Sequence, residues 1–183
     1  MLLNKCQDFS QFKQLDIAII SDTHADIVAD IYNLVSECDI VIHVGDIGSM
    51  EVLEQLKPKT EHVIAVAGNN DKPYMWDVLH WNVVKSLPDN LDILFAGGTL
   101  SIEHGHLHDM NKPSHDSLRQ AHLDSRMVVY GHTHHQIIDD SDHEPWVINP
   151  GAAGITRTHG GSSCLKLSIN NKNWQLEPYR FSD

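Results

Sequence analysis

The chain has 183 residues, 41% of them hydrophobic, and a formal net charge of -12. This length and apolar content predict a single globular domain over residues 1–183 and exclude two domains of ordinary size. The negative charge repels polyanions, so it excludes an extended nucleic-acid or anionic-membrane surface unless bound cations reverse the sign locally.

Membrane-spanning and export signals are not found in the sequence. No apolar run approaches the roughly 20 residues that a membrane span requires, and residues 1–14 lack the apolar stretch of a signal peptide. Cys6, Cys38 and Cys164 are odd in number and far apart, which is typical of free thiols in a reducing compartment. We therefore expect a cytoplasmic protein without disulfides.

The N-terminal half alternates apolar runs with amphipathic segments. The runs at residues 15–20, 39–45 and 62–68 are short and rich in β-branched residues, which predicts strands. The segments at residues 26–37 and 50–57 carry apolar side chains at helical spacing and predict helices. This repeated strand–helix pattern predicts a parallel sheet covered by helices.

The pattern changes in the C-terminal half, where short apolar runs alternate with turn residues. One helix is predicted at residues 114–124. Strands are predicted at residues 81–84, 92–97, 99–105, 127–134, 135–139, 146–151, 163–169 and 174–179. We expect these strands to form a second, largely mixed or antiparallel sheet packed on the first.

Polar side chains that can bind metals follow many of these strands. Fourteen histidines are a compositional outlier, and histidine is the commonest metal ligand in proteins. The carboxyl ends of parallel strands share one edge of a sheet, so residues that are distant in sequence converge there. The residues at these ends are Asp22, His24, Asp46, Asn69, Asn70, Asp71, His104, His106, His132 and His134.

This donor set predicts a site for two divalent cations. Carboxylate, imidazole and amide donors without thiolates suit Mn, Fe, Zn or Co. With one bridging carboxylate, seven such ligands supply four contacts to each of two ions, an arrangement that acts on phosphoryl groups. Taken singly, each donor also fits an ordinary structural role: a helix cap, a turn former or a buried, hydrogen-bonded histidine.

The blocks "DTH", "GD", "GNND", "HGH" and "GHTH" occur in this order between residues 22 and 134 and resemble the motifs of the calcineurin-like metallophosphoesterases. The short chain and the "HVGD" and "INPGA" segments are most similar to the small bacterial and archaeal phosphodiesterase branch, which also contains the retromer scaffold Vps29. The resemblance begins near Leu15 and leaves residues 1–14 unassigned. It implies an α/β fold, a four-layer αββα sandwich of two mixed sheets flanked by helices.

The resemblance also implies a role for each donor. The first ion is expected at Asp22, His24 and His134, the second at Asn69, His104 and His132, with Asp46 bridging the two. Manganese is the expected metal, with Fe, Zn, Co or Ni as alternatives. A hydroxide between the ions is expected to attack the phosphorus of a small phosphate-ester substrate.

Asn70 sets the expected substrate class. The phosphatase branch of the superfamily has at this position a histidine that protonates the leaving oxygen, and asparagine removes that acid. Small diesters whose leaving groups are stable anions are therefore favoured. The expected catalytic positions are Asp46, Asn70 and His106, with His106 contacting substrate and Asp71 supporting the loop.

Two departures from the family pattern, and two other functions, remain open. Ala25 replaces a usual glycine, which predicts an ordinary backbone conformation there, and the "NPGAAGITR" segment leaves open whether Arg157 reaches a phosphate.

A phosphomonoesterase or nucleotide hydrolase would be marked by histidine at position 70. A non-enzymatic protein-binding scaffold would be marked by lost metal ligands. The sequence is compatible with a homo-oligomer.

Overall fold

The computed structural model describes residues 6–140 and 144–181. The helices are α1 (Ala29–Glu37), α2 (Met50–Gln55), α3 (Trp81–Ser86) and α4 (His115–Ala121). The strands are β1 (Cys6–Asp8), β2 (Gln14–Ile20), β3 (Ile40–His43), β4 (His62–Ala65), β5 (Asn90–Phe95), β6 (Gly98–Glu103), β7 (Met127–Val129), β8 (Gln136–Asp139), β9 (Trp146–Pro150), β10 (Ser162–Asn170) and β11 (Asn173–Phe181). Within these ranges, no helix is long and apolar enough to cross a membrane.

The first sheet has five strands in the order β11-β10-β2-β3-β4. Strands β2, β3 and β4 pair in parallel, with Ile42 opposite both Ile19 and Ile64. Strand β10 runs antiparallel beside β2, and β11 pairs antiparallel with β10. The parallel half of this sheet confirms the prediction from the repeated strand–helix pattern.

The second sheet has six strands in the order β1-β5-β6-β7-β9-β8. Strands β6, β7 and β9 are parallel neighbours, whereas β5 and β8 run antiparallel to β6 and β9. Strand β1 pairs in parallel with β5, with Cys6 opposite Asp92. Residues 6–8, which the sequence left unassigned, therefore form an edge strand, while residues 1–5 lie outside the described part of the chain.

Two-sided burial explains the uninterrupted apolar runs of the first sheet. Successive side chains of a strand point to opposite faces, so Ile17 and Ile19 enter the core between the sheets while Ala18 and Ile20 face the helices. Both faces of the strand are covered, which removes the apolar–polar alternation expected of a half-exposed strand.

Three apolar clusters separate four layers. The largest lies between the sheets and contains Ile19 of β2 and Ile102 of β6. A second packs α1, through Ile31, and the other N-terminal helices on the outer face of the first sheet. In the third, Leu118 of α4 packs on Val128 of the second sheet. The expected αββα sandwich of two mixed sheets flanked by helices is confirmed.

One predicted strand is wrong. Residues 81–84 form the helix α3, because the chain is already helical before it reaches them: the Asp77 side chain accepts a hydrogen bond from Leu79 N–H at the start of a 3₁₀ turn that leads directly into α3. Val84 is the buried residue of this helix. The helix is short and buries one apolar side chain, so its sequence shows no helical periodicity, and the two valines then favour a strand prediction.

The last two predicted strands belong to the other sheet. Residues 163–169 and 174–179 lie in β10 and β11 of the first sheet, with Leu167 opposite Ile17. Alternation along a strand determines which side chains are buried, but it does not determine which neighbouring strand pairs with it. The first helix also begins at Ala29, three residues later than the periodicity predicts.

Candidate metal centre

Loops that follow five strands meet at one edge of the sandwich. Asp22 and His24 follow β2, Asp46 follows β3, Asn69 follows β4, His104 follows β6, and His132 and His134 follow β7. Contacts among these side chains join the two sheets, because the first three loops leave the first sheet and the last two leave the second. The parallel topology thus gathers all seven expected metal ligands.

The first two loops are locked to each other by their backbones. Asp22 N–H donates to the Gly45 carbonyl at 3.0 Å, and His24 N–H donates to the Asp46 carbonyl at 3.0 Å. Asp22, His24 and Asp46 have φ values of 54°, 48° and 54°, in the left-handed region that non-glycine residues rarely adopt. Their side chains are therefore aimed by strained backbone that the surrounding hydrogen bonds hold in place.

Ala25 contradicts the expectation of an ordinary backbone conformation. Its φ is 69°, so it adopts the left-handed conformation that a glycine at this position would adopt without strain. Ala25 N–H donates to the Ile47 carbonyl at 2.8 Å. A Cβ on Gly48 would lie 2.4 Å from the Ala25 nitrogen, so the two loops touch at this point. Contact with the neighbouring loop outweighs the local preference.

Three side chains converge in what we call the first ligand group: Asp22, His24 and His134. His134 Nε2 lies 3.2 Å from Asp22 Oδ1 and 3.2 Å from His24 Nε2. His134 Nδ1 donates to the Thr156 carbonyl at 3.0 Å, so the lone pair of His134 is on Nε2 and faces the other two ligands. Their ligand atoms all lie within 4.8 Å of one another.

A second group of ligand atoms lies beside the first, and two of its members, His104 and Asp46, are buried. His104 Nδ1 donates to the Val44 carbonyl at 2.8 Å, which points Nε2 into the site. That nitrogen lies 3.4 Å from Asp46 Oδ1 and 3.9 Å from Asp22 Oδ1. We call His104 and Asp46, together with Asn69 and His132, the second ligand group.

Asn69 and His132 meet at the outer side of this second group. His132 Nε2 donates to the Met110 carbonyl at 2.8 Å, so its lone pair is on Nδ1. This atom lies 2.9 Å from Asn69 Oδ1, which is also an acceptor. Asn69 and His132 are thus in direct contact, and both can turn a lone pair towards the site.

The residues present fit divalent cations. Asp22 Oδ1 and His104 Nε2 are buried atoms without a hydrogen-bond partner among the described residues. Buried polar atoms without partners are costly, and a bound cation would remove that cost, with His104 giving up its Nε2 proton to bind it. Asp46 faces both groups, since its Oδ2 lies 3.7 Å from His24 Nε2 and its Oδ1 lies 3.4 Å from His104 Nε2. This placement suits a carboxylate shared by two ions.

Electrostatics in the metal-free protein are consistent with a site built for positive charge. Burial alone would raise the pKa of Asp46, but the charge of His104, whose Nε2 lies 3.4 Å from Asp46 Oδ1, and the hydrogen bonds from Asn70 outweigh it and hold that pKa well below its usual range. Burial alone would lower the pKa of His104, but the carboxylates of Asp46 and Asp22, 3.4 Å and 3.9 Å from its Nε2, raise it to about 9. A proton on His104 thus supplies the positive charge that the carboxylates demand.

Asn70 and Asp71 support the site from the next loop. Asn70 donates to both oxygens of Asp46, from its backbone N–H at 2.8 Å and from its side-chain amide at 2.6 Å. Asp71 is buried and accepts hydrogen bonds from Ile47 N, Gly48 N, Gly68 N and Trp76 Nε1. Asp71 therefore ties the loop after β3 to the loop after β4.

Two further histidines lie near the ligands. His106 is buried, its Nδ1 has no hydrogen-bond partner among the described residues, and its ring centroid is 5.5 Å from that of His104. His43 Nε2 lies 2.9 Å from Thr23 Oγ1, and burial lowers its pKa to about 4. His43 thus supports the loop between Asp22 and His24 as a neutral imidazole.

Sequence reasoning missed the groups that orient the ligand imidazoles. These are the carbonyls of Val44, Met110 and Thr156, and a backbone carbonyl has no signature in the side-chain sequence. For Arg157, which the sequence left open as a phosphate contact, the structure adds a contact with the ligand histidines. Its guanidinium Nη2 lies 3.2 Å from His134 Nε2 and 3.5 Å from His24 Nε2.

Comparison with known families identifies the superfamily of this chain. A model described as the calcineurin-like phosphoesterase superfamily domain matches residues 15–172. The chain belongs to this superfamily. It is 29% identical over 151 residues to the phosphodiesterase MJ0936 of Methanocaldococcus jannaschii, a match that covers 75% of this chain and 83% of that relative.

Solved structures show the same fold at lower identity. Vacuolar protein sorting 29 from Cryptosporidium parvum has a TM-score of 0.71 and 19% identity, and the match covers 94% of this chain and 100% of that one. YfcE, a phosphoesterase from E. coli, has a TM-score of 0.58 and 20% identity, covering 91% and 99% of the two chains. The superfamily fold thus occurs in proteins named for phosphoesterase activity and in proteins named for sorting.

Proposed function

We propose that this protein is a phosphodiesterase that uses two divalent metal ions, with Mn the first candidate, and that its chain acts as one domain. The observation that carries the proposal is the position of Asp46. Its two oxygens face two different histidines, His24 and His104, each of which belongs to a separate group of acceptor atoms. A shared carboxylate between two such groups is the arrangement of two-metal hydrolases.

The charge balance of the loaded site favours a phosphate ester. Asp22 and Asp46 bring two negative charges to the edge, whereas two divalent ions bring four positive ones. The local sign is then opposite to that of the whole chain, whose formal net charge is -12. When bound, the ions supply Lewis acidity towards phosphoryl oxygens and lower the pKa of a water nucleophile.

The chain itself contributes orientation. His104 and His134 each donate one ring N–H to a backbone carbonyl, which fixes the tautomer and points the other nitrogen into the site. Asn70 holds both oxygens of Asp46. These ligands therefore need little rearrangement to bind, and a fixed ligand frame keeps the substrate phosphorus in one position relative to the nucleophile.

Asn70 and His106 favour diesters with good leaving groups. The amide of Asn70 has no acidic proton to give to a departing oxygen, and one of its N–H bonds already donates to Asp46. His106 lies beside His104 and has a free Nδ1, so we assign it a contact with the substrate. Small diesters whose leaving groups depart as stable anions are the favoured class.

Two alternatives define what the experiment must separate. The first alternative is a phosphomonoesterase or nucleotide hydrolase, but this chain has asparagine, not histidine, at position 70. A protein-binding scaffold is favoured by an exposed apolar stretch near the site, in which Tyr74, Val78 and Leu79 are 79%, 66% and 81% exposed. The seven retained ligand side chains favour the enzyme over the scaffold.

The test combines metal content with turnover. Protein purified without chelator is analysed for bound metal and then assayed with Mn on bis(4-nitrophenyl) phosphate and on 4-nitrophenyl phosphate, with chelator-treated protein as the control. We expect about two ions per chain and faster hydrolysis of the diester. Faster hydrolysis of the monoester would favour the first alternative, and bound metal without hydrolysis of either ester would favour the scaffold.

A further inference from the structure

A guanidinium group lies against the first ligand group. Arg157 Nη2 is 3.2 Å from His134 Nε2 and 3.5 Å from His24 Nε2. Because His134 Nδ1 donates to the Thr156 carbonyl, His134 Nε2 carries a lone pair, and the Arg157 N–H is its hydrogen-bond donor. The contact therefore uses the same lone pair that a metal ion would use.

The loop that carries Arg157 is fixed to the ligand loops. Ala153 N–H donates to the Ser21 carbonyl at 2.8 Å, and a Cβ on Gly154 would lie 2.3 Å from the Thr23 carbonyl oxygen. Beyond this contact, Thr156 accepts the hydrogen bond from His134. Arg157 itself has a φ of 54°. The backbone of Arg157 is thus held beside the ligand loops, while its side chain is exposed.

A guanidinium and a divalent cation exclude each other from this place. Both are positive, both occupy the space beside Nε2 of His24 and Nε2 of His134, and the separation between them would be only a few ångströms. Loading of the first ligand group therefore requires the Arg157 side chain to turn away. Its anchored backbone keeps the displaced head near the loaded edge, where the substrate phosphate is expected.

We propose that Arg157 holds the first ligand group together in the metal-free protein and, once displaced by metal, binds the phosphate of the substrate. The second half rests on the proposed function. Arginine suits both tasks, because its N–H donors can meet the lone pair of the His134 imidazole or, as a planar fork, two oxygens of a phosphate. Metal loading and substrate binding are thereby coupled through one side chain.

The experiment measures two binding constants in the full chain. Mn²⁺ is titrated into chelator-stripped protein in phosphate-free buffer, and inorganic phosphate is titrated into Mn-saturated protein, both by calorimetry. In Arg157→Gln, we expect Mn²⁺ to bind one site about 10-fold more tightly and phosphate to bind about 10-fold more weakly, the size of effect given by one hydrogen bond to a charged group.

Two further variants separate position from charge. Arg180→Gln removes the same charge from a neighbouring arginine, whose side chain bonds the His159 carbonyl and Gln136 and no metal ligand. We expect both of its constants to stay near those of the wild type. Arg157→Lys keeps the charge without the planar fork, so we expect Mn²⁺ affinity near the wild-type value and only partial recovery of phosphate binding.

The inference predicts opposite changes in Arg157→Gln: tighter Mn²⁺ binding and weaker phosphate binding. It is overturned if Arg157→Gln leaves Mn²⁺ affinity unchanged, if it leaves phosphate affinity unchanged, or if Arg180→Gln reproduces both changes. Turnover separates this result from the proposed function. Wild-type protein that hydrolyses no ester but shows the opposite changes would refute the function alone. Normal diester hydrolysis without these changes would refute the inference alone.

Discussion

Asn70 holds the carboxylate of Asp46 by two hydrogen bonds, from its backbone N–H to Oδ1 at 2.8 Å and from its side-chain amide to Oδ2 at 2.6 Å. The sequence suggested only what Asn70 lacks, a proton for the leaving group. The contact adds a positive role, because it fixes the rotation of the side chain that faces both ligand groups. Position 70 therefore bears on metal binding as well as on the choice of substrate.

Asn70→Ala is expected to weaken Mn²⁺ binding by about 10-fold, since it removes one hydrogen bond to a charged group and leaves the backbone bond in place. The measurement is a calorimetric Mn²⁺ titration of chelator-stripped protein. Asn82→Ala is the matched control, because Asn82 is exposed on α3. Equal Mn²⁺ affinity in both variants would show that Asp46 needs no support from the amide.

Asp46→Asn is expected to lose at least one ion and to slow turnover by more than about 100-fold, because even an outer partner of a metal ligand is typically worth 10- to 100-fold. Metal content measured by mass spectrometry, together with diester turnover, checks this. The exposed Asp89→Asn variant controls for the change of charge. Two bound ions and near-native turnover in Asp46→Asn would refute the shared carboxylate.

Patterns within single strands carried most of the correct predictions. The two-sided apolar run of β2 and the polar residues after β2, β3 and β4 are local in sequence, and parallel topology then requires those residues to share an edge. The pairing of β10 with β2 is not local, because it joins segments about 150 residues apart, and alternation within β10 does not say which strand will be its neighbour. The contacts of Arg157 and the carbonyl partners of the histidines depend on loop shape, which side-chain composition does not specify.

Two buried thiols should be inert in the folded protein. Cys38 and Cys164 are free and fully buried, and burial raises their pKa to about 11 and about 12. A raised thiol pKa means less thiolate at any given pH, and thiolate is the reactive form. We expect iodoacetamide at pH 8 to label neither residue in native protein and both in urea, as read by peptide mass spectrometry. Rapid native labelling of either site would contradict this.

Ala25→Gly should stabilise the protein by roughly 0.5–1 kcal/mol. The left-handed backbone conformation costs an alanine about 1–2 kcal/mol, and glycine removes this cost. The greater conformational freedom of glycine in the unfolded chain offsets part of the gain. Urea unfolding of the metal-free protein measures the difference. Ala29→Gly is the matched control, because it makes the same change at the first residue of α1, where no left-handed strain is relieved, and should not raise stability. Destabilisation by both substitutions would mean that the Ala25 methyl group makes a contact worth more than the strain.

The rate of diester hydrolysis should depend steeply on the leaving group. A positioned general acid contributes roughly 100- to 10,000-fold, and most where the departing oxygen is strongly basic. With an amide at position 70, we expect nitrophenol-like groups to leave far faster than alkyl or ribose ones. The measurement is a plot of log turnover against leaving-group pKa for a series of aryl methyl phosphodiesters. Asn70→His should flatten this plot by accelerating the poor leaving groups.

The contact between Asn70 and Asp46 makes a second variant necessary. A histidine at position 70 loses the amide bond to Asp46 as well as gaining an acid, and Asn70→Ala loses that bond alone. We expect Asn70→Ala to lower the rates of all esters similarly and to keep the steep slope. A shallow slope in the native protein, unchanged in Asn70→His and steepened in His106→Asn, would instead assign the proton to His106, whose Nδ1 has no hydrogen-bond partner among the described residues beside the ligands. The proposed role of Asn70 in substrate choice would then be wrong, while its role in holding Asp46 would stand.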